Sequence, residues 1–409
     1  MTYPTITPKL TLDFANSRQL DPRITFSRSS TATYLHPDTG LITTAPSGVA
    51  RFEKEGFLIE ESRTNSVTNS QVFQSGYNTN GLTTTDNAAV APDGTTTAAS
   101  IMELGGSSTS HGFFKTTTSL SGFAQSIFVK PNGRDNICLR FAVPGVGNWY
   151  TITFNLTGNG SVTQEEYGSA ETWTFESKNI QPFGNGWYRI SAAASTSTAT
   201  TIDLIVDGCT SSTPTLLSSD GAERYIGDTT KGYYVWGAQV EAADFPTSYI
   251  PTSGSTVTRA ADVASITGTN FSGWYGGLSG TFAHESLNNS NAASIPLVCD
   301  DGTNANRILF NNSGSYQLQI RVSGATIVQM DANPGTAPSG MTKYAGSYEV
   351  GNASVSFDGV SATTTASDIP QCSRLQISQF SGNSKFNTIS RISYYDRRVS
   401  DAELETLTS

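Results

Sequence analysis

The stretch WYTITFNLTG, residues 149–158, alternates apolar and polar side chains with a period of two. Tyr150, Ile152, Phe154 and Leu156 share one face of an extended strand, and Thr151, Thr153 and Asn155 share the other. Such a strand must lie with one face in a core, because a one-residue slip would turn its whole apolar set into water. The same alternation recurs in FAQSIFVKP (Phe123, Ile127 and Val129 against Ser126 and Lys130), in TIDLIVDG (Ile202, Leu204, Val206) and in YQLQIRVSG (Tyr316, Leu318, Ile320, Val322). Runs stop at turn signals such as KPNG, LTGNG and VDG, at spacings that suit stacked antiparallel strands. The pattern predicts an all-β chain of antiparallel β-sandwiches. One helix is expected, at VSDAELETLTS: Ser400 is placed as N-cap with Glu403 completing a capping box, and Leu404 and Leu407 turn toward the last strand.

Composition agrees. Only 14% of the 409 residues are charged, while Gly, Ser and Thr are abundant and the usual fillers of exposed helices are scarce. The length suits two or three domains. A net charge of -10 with no Lys/Arg run removes the electrostatic footprint of a nucleic-acid or anionic-membrane binder. No run approaches the roughly 20 apolar residues of a membrane span. MTYPTITPKLTLDF lacks the basic start and apolar core of a signal peptide, so folding in a cytoplasm is expected, without membrane insertion. Cys138, Cys209, Cys299 and Cys372 are far apart with no CxxC spacing and read as isolated buried thiols.

The segment KGYYVWGAQVEAADFPTSYIPTSGSTVTRAAD, residues 231–262, begins as an aromatic strand and ends in an uncharged tract closed by Arg259 and Asp262. It reads as the closing strand of one sandwich followed by a linker, with a new strand series beginning at GTFAHESL. This sets three zones: an irregular N-terminal segment, 1–68, that supplies edge strands to the first sandwich or docks elsewhere; a sandwich at 69–262; and a second at 263–409. No solenoid or propeller period and no heptads occur.

ITFSRSSTATYLHPDTGLI, GFLIEESRTN, APDGTTTAAS, GNGWYRIS and VWGAQVEAADFPTSYIPTSGSTVTRAADV, in this order over residues 11–264, resemble a module of tail, fibre and head-spike proteins of tailed bacteriophages. The resemblance implies that residues 69–262 form a jelly roll similar to carbohydrate-binding modules. SVSFDGV and ISRISYYDRRVSDAELETL resemble the concanavalin A-like, or laminin-G-like, sandwich. What the family implies is a virion protein: a fibre, spike or decoration component that contacts other virion proteins, assembles as a homotrimer in the bacterial cytoplasm, and touches host-surface polysaccharide.

Catalysis would need converging titratable groups. His36, His111 and His284 lie in separate regions without a metal-ligand spacing and are expected at solvated turns or edges. No nucleophile elbow or P-loop occurs. Glycoside hydrolysis needs only two carboxylates across a groove, which keeps Glu60, Glu61, Glu165 and Glu166 in view for the alternative of a tailspike-like depolymerase. CDDGTNANR brings Asp300, Asp301, Asn304 and Asn306 together, as a plain hairpin turn or a calcium loop; SFDGV places a tight turn at Asp358 and Gly359. The reading names no cofactor, no metal and no catalytic residue.

Sugar rings stack on exposed aromatic faces. Alternation puts Trp149 on the face of Thr151 and Thr153, opposite the apolar one, and Trp187 on the face of Arg189 and Ser191. Trp149, Trp187 and Arg189 are therefore the glycan-binding candidates, whereas Trp173 and Trp236 read as core.

Overall fold

The computed structural model describes residues 7–117, 119–143, 148–168, 173–288, 294–312, 316–332, 340–380, 383–384 and 387–409. The chain divides into two compact units. One comprises Thr39–Thr43 and Arg63–Arg259; the other comprises the described residues up to Asp38, Thr44–Ser62 and Ala260–Ser409.

The unit built on residues 63–259 holds two six-stranded antiparallel sheets. The first runs Trp173–Phe183, Trp187–Thr200, Leu120–Asn132, Gly232–Glu241, Ala98–Glu103, Leu82–Ala89. The second runs Ser161–Tyr167, Trp149–Asn155, Asn136–Ala142, Asp203–Cys209, Gly112–Thr116, Asn78–Asn80. Phe123, Ile127 and Val129 of the first meet Tyr150, Ile152, Phe154, Leu204 and Val206 of the second in one core, as the alternation requires. Cys138 and Cys209 are not isolated thiols. They lie on neighbouring strands with Cα atoms 6.6 Å apart and form a disulfide, a pairing hidden in the sequence by a separation of 71 positions. Cys299 is a buried free thiol and Cys372 a half-buried one.

The stretch after Glu241 has the composition of a linker but is tied down. Glu241 accepts from Thr247 N at 2.8 Å and Thr247 Oγ1 at 2.5 Å, and Gln239 Oε1 accepts from Ile250 N at 2.6 Å. Thr252 Oγ1 donates to Val67 O at 2.6 Å, and Val257–Arg259 pairs antiparallel with Arg63–Asn65. Thr247, Tyr249, Ile250 and Arg259 are all buried. From Thr247 to Thr252 the tract's hydroxyls meet buried partners, whereas residues 253–258 are exposed.

In the other unit, an eight-stranded sheet runs Val360–Thr364, Asn352–Phe357, Gly340–Glu349, Gly280–Asn288, Asn387–Tyr395, Gly56–Ile59, Arg51–Glu53, with Leu10–Asp13 also paired to Asn387–Tyr395. A seven-stranded sheet runs Thr25–Ser27, Val263–Thr267, Arg374–Ile377, Ser294–Asp300, Arg307–Asn312, Tyr316–Val322, Ala325–Asp331. The N-terminal segment thus pairs into this unit, and Leu10, Leu12, Phe14, Phe57 and Ile59 join Phe282, Phe310, Leu318, Ile320 and Tyr394 in its core. Asp358 and Gly359 both have positive φ, 48° and 71°, between the paired Phe357 and Val360, as a tight type I′ hairpin demands. The helix Asp401–Thr408 carries the expected capping box, and Leu404 packs with Ala345, Tyr395 and Val399. Among the described residues no helix is long and apolar enough to cross a membrane.

Four charges hold the N-terminal segment in place. Arg28 Nη1 donates to Asp262 Oδ1 at 3.0 Å, Arg51 Nη2 to Asp262 Oδ2 at 2.5 Å, and Arg51 Nη1 to Glu60 Oε2 at 2.7 Å; all four side chains are 0% exposed. Arg28 also donates to the carbonyls of Pro46 and Val49, Arg51 to that of Thr33, and Glu60 N to Asp262 Oδ2. Burial works against the Arg51 charge, but Glu60 and Asp262 outweigh it and raise its pKa.

A fragment beginning at Asp262 would lack six core residues between Leu10 and Ile59, the strands that pair with its sheets and both arginine partners of Asp262. It is expected to show no cooperative unfolding transition in urea, whereas the full chain shows one. A sharp transition from the fragment alone would show that the N-terminal strands are dispensable.

Candidate functional site

Trp149, Trp187 and Arg189 do not form a solvent-facing platform. Trp149 is 3% exposed and Trp187 1%. Their faces are the ones the alternation assigns, since neither belongs to the core between the two sheets, but both outer faces are themselves covered. Trp149 Nε1 donates to Ser218 O at 3.1 Å and Thr151 Oγ1 to Gly221 O at 2.9 Å, so the loop through residues 218–221 lies over them. A Cβ on Gly221 would overlap the Trp149 ring, which explains the glycine in that loop. Trp187 donates to Val90 O at 3.1 Å and packs in a satellite cluster with Ala91, Phe128, Trp236 and Tyr249. Arg189 is half-buried, with Nη2 donating to Ser126 Oγ at 2.9 Å and Thr247 O at 2.6 Å. It braces the tract after Glu241.

Among the described residues the most exposed aromatic rings are Tyr167, 63% exposed, and Phe175, 38% exposed. They close the strand Ser161–Tyr167 and open the strand Trp173–Phe183, each at the edge of its own sheet. Their ring centroids are 5.6 Å apart, and Phe175 also rests 4.0 Å from the Tyr150 ring, which is buried. Trp173 and Phe175 share one face, since their pairing with Thr196 and Ala194 is regular and the β-bulge lies beyond it, between Phe175 and Ser177; on this edge strand Trp173 is covered by the core while Phe175 is only partly covered. Beside them, Tyr150 Oη donates to Glu165 at 2.5 Å, and Lys178 pairs with Glu165. Desolvation raises the Glu165 pKa, but hydrogen bonds from Lys178 and Tyr150 outweigh it and leave it lowered. Burial and the Glu165 contact push the Tyr150 phenol up, so it remains a donor. The arrangement is an apolar step bordered by fixed polar groups, suited to stacking against a ring that carries hydroxyls. Sequence reasoning missed both aromatics; the exposed edge depends on which strands end the sheets, and no local pattern encodes that.

The remaining sequence candidates are not brought together. Glu60 is locked to Arg51, Glu165 to Tyr150 and Lys178, and Glu166 accepts from Gln164. Asp300 is 3% exposed and accepts from Arg374 Nε at 2.5 Å, from Gln376 and from Gly302 N, while Asp301 accepts from Thr303 and Asn306, so both carboxylates serve the hairpin. Among the described residues no group of three or more His, Cys, Asp or Glu side chains is poised to hold a metal. His36 is half-buried at a turn. The other two histidines depart from the solvated positions expected of them. His111 is fully buried between the Gly81 and Tyr225 carbonyls, and His284, 2% exposed, lies edge-on to Phe310 and Tyr344 with its pKa lowered by burial to about 3.

A cavity of about 660 Å³ opens in the unit containing residues 260–409, between the Asp300–Arg307 hairpin and the segment Asp368–Ser373.

No family model matches the chain, and no curated protein matches it. Solved structures that resemble it include the CBM40 module of the Ruminococcus gnavus IT-sialidase bound to α2,3-sialyllactose (18% identity, 34% of this chain and 88% of that one, TM-score 0.30). Others are domains LG4-5 of the mouse laminin α1 chain (10% identity, 69% and 86%, TM-score 0.24) and the Trypanosoma rangeli sialidase in complex with the inhibitor DANA (9% identity, 92% and 77%, TM-score 0.26). The fold is all-β, and these neighbours include a carbohydrate-binding module and laminin-G domains. At such scores the likenesses carry no argument about ligands.

Two predictions follow from burial. Trp149→Ala and Trp187→Ala are each expected to cost about 3–5 kcal/mol through the cavity left behind, seen as a large fall in melting temperature; an unchanged melt would contradict the packing. Burial also raises Glu53, whose carboxylate accepts from Leu35 N at 2.9 Å, from an ordinary 4.5 to about 7. The folded chain then binds more protons than the unfolded one between these values, so this group's contribution to stability is full below the lower value and is lost as pH rises through the upper. Glu53→Gln is expected to flatten that dependence and to leave the variant more stable than the parent at about pH 8. Parallel urea midpoints across pH for parent and variant would exclude Glu53 as the source.

Proposed function

We propose that the chain is a non-enzymatic component of a tailed-bacteriophage particle, a fibre, spike or decoration protein that adheres to host-surface polysaccharide. The phage side of this reading rests on the ordered motifs in residues 11–264. The adhesive side rests on one observation, the exposed Tyr167–Phe175 edge with Tyr150, Glu165 and Lys178 beside it. A binding role is favoured over the depolymerase alternative because Glu60, Glu165 and Glu166 each have a structural partner. The partners in this reading are other virion proteins and a glycan, with a homotrimer as the assembled form, since edge strands with few lysines gain from being covered by copies of themselves.

The test is retention of the purified chain on polysaccharide from host cells, with reducing ends and molar mass measured in the same samples. Tyr167→Ala and Phe175→Ala are each expected to weaken retention several-fold; the first should shift stability by less than about 0.5 kcal/mol, and the second should cost about 1 kcal/mol through its lost contact with Tyr150. Light scattering is expected to give a trimer. Release of reducing ends would replace this reading with the depolymerase, and full retention by both variants would remove the aromatic edge from it.

A further inference from the structure

The cavity of about 660 Å³ falls within the range of small-ligand sites, roughly 300–1,000 Å³. One wall is preorganised. Asp301 Oδ1 accepts from Thr303 N at 2.9 Å and Thr303 Oγ1 at 2.6 Å, Asn306 Nδ2 donates to Asp301 Oδ2 at 2.8 Å, and Asn306 Oδ1 accepts from Ser323 N at 2.8 Å. Desolvation raises the Asp301 pKa, but the hydrogen bonds from Thr303 and Asn306 together outweigh it and leave it lowered, so the wall is anionic at neutral pH.

The facing wall holds polar groups with nothing to bond to. The side chains of exposed Gln371 and Ser373 have no hydrogen-bond partner among the described residues, and Asp368 uses only Oδ1, accepting from Ile369 N at 2.8 Å. Between the walls, Leu278 is 47% exposed and offers an aliphatic surface to the C–H face of a ring, while Ile369 and Pro370 are buried. Among the described residues no lysine or arginine lines the cavity, whereas two carboxylates do. That charge balance repels carboxylated and sulfated sugars and accommodates hydroxyl and ammonium donors.

We infer that this cavity is a carbohydrate site separate from the aromatic edge, selective for uncharged or ammonium-bearing sugars against anionic ones. The inference rests on the glycan-binding reading above and adds to it a second location and a ligand class.

The full chain carrying Tyr167→Ala and Phe175→Ala, which silences the aromatic edge, is titrated by calorimetry with maltotriose, with the trimer of glucosamine and with sialyllactose. Binding of the uncharged or the ammonium-bearing probe is expected, and sialyllactose is expected to give no heat. Adding Gln371→Ala or Leu278→Glu, both at exposed positions, is expected to weaken that binding by about tenfold with an unchanged melting temperature. Undiminished binding in both of these variants would overturn the cavity as the site while leaving the chain a glycan binder. Preference for sialyllactose would overturn the ligand class. If the parent chain binds none of the probes and is not retained on host polysaccharide, the cavity and the adhesive reading fall together; if it is retained but binds no probe, the cavity assignment alone falls.

Discussion

The unit that contains the C-terminal sandwich depends on a buried square of charge. Arg28, Arg51, Glu60 and Asp262 lie fully inside it, two cations against two anions, drawn from segments more than 200 residues apart in the chain. Such a group is tolerable only if every charge is met, because removing one partner from a buried pair typically costs about 3–5 kcal/mol. Here the remaining donors are directed at the carbonyls of Thr33, Pro46 and Val49, and backbone N–H groups complete the acids. The geometry fixes where the irregular N-terminal segment must run and so lets Gly56–Ile59 and Leu10–Asp13 pair with Asn387–Tyr395. It also gives a physical reason for the residues that carry the phage resemblance: Arg28 stands in ITFSRSS, Glu60 in GFLIEESRTN and Asp262 in STVTRAAD, and all three meet in this cluster. Their role is architectural.

Strand content and face were legible because a period of two is a local property. Tyr150, Ile152 and Phe154 point into the core, Tyr316, Leu318 and Ile320 do the same in the other unit, and the capping box at Ser400 and Glu403 formed as its spacing implies. Pairing between distant segments was not legible. Neither the place of Leu10–Asp13 in a sheet with Asn387–Tyr395 nor the Cys138–Cys209 bond leaves a mark in the neighbouring residues. The tract between Glu241 and Asp262 shows a related limit: Ser, Thr and Pro read as a solvated connection, yet Thr247 and Thr252 use their hydroxyls to satisfy buried partners.

The binding candidates failed for a different reason. Alternation tells which side of a sheet a residue faces, not whether that side is wet. Trp149 faces away from the central core as its parity requires, and an irregular loop containing Gly221 covers it; Trp187 is covered in the same way beside Val90 and Tyr249. Phe175 departs in the opposite sense: it keeps the face of Trp173, but on an edge strand the core covers it only in part. Both cases turn on what covers a face, and that is decided by tertiary contacts.

The distribution of charge bears on how any ligand is held. Among the described residues, six arginines and seven carboxylates are buried, so the interior is nearly neutral and almost the whole net charge of -10 lies at the surface. That field opposes the approach of polyanions, but it is screened beyond about 8 Å at physiological salt. Within that distance, recognition as proposed would depend on contact: ring stacking at Tyr167 and Phe175, and hydrogen bonds from Gln371 and Ser373 in the cavity. For an uncharged sugar neither surface relies on a long-range attraction, so that affinity should vary little with ionic strength, whereas binding of an ammonium-bearing sugar beside the cavity's carboxylates should weaken with salt.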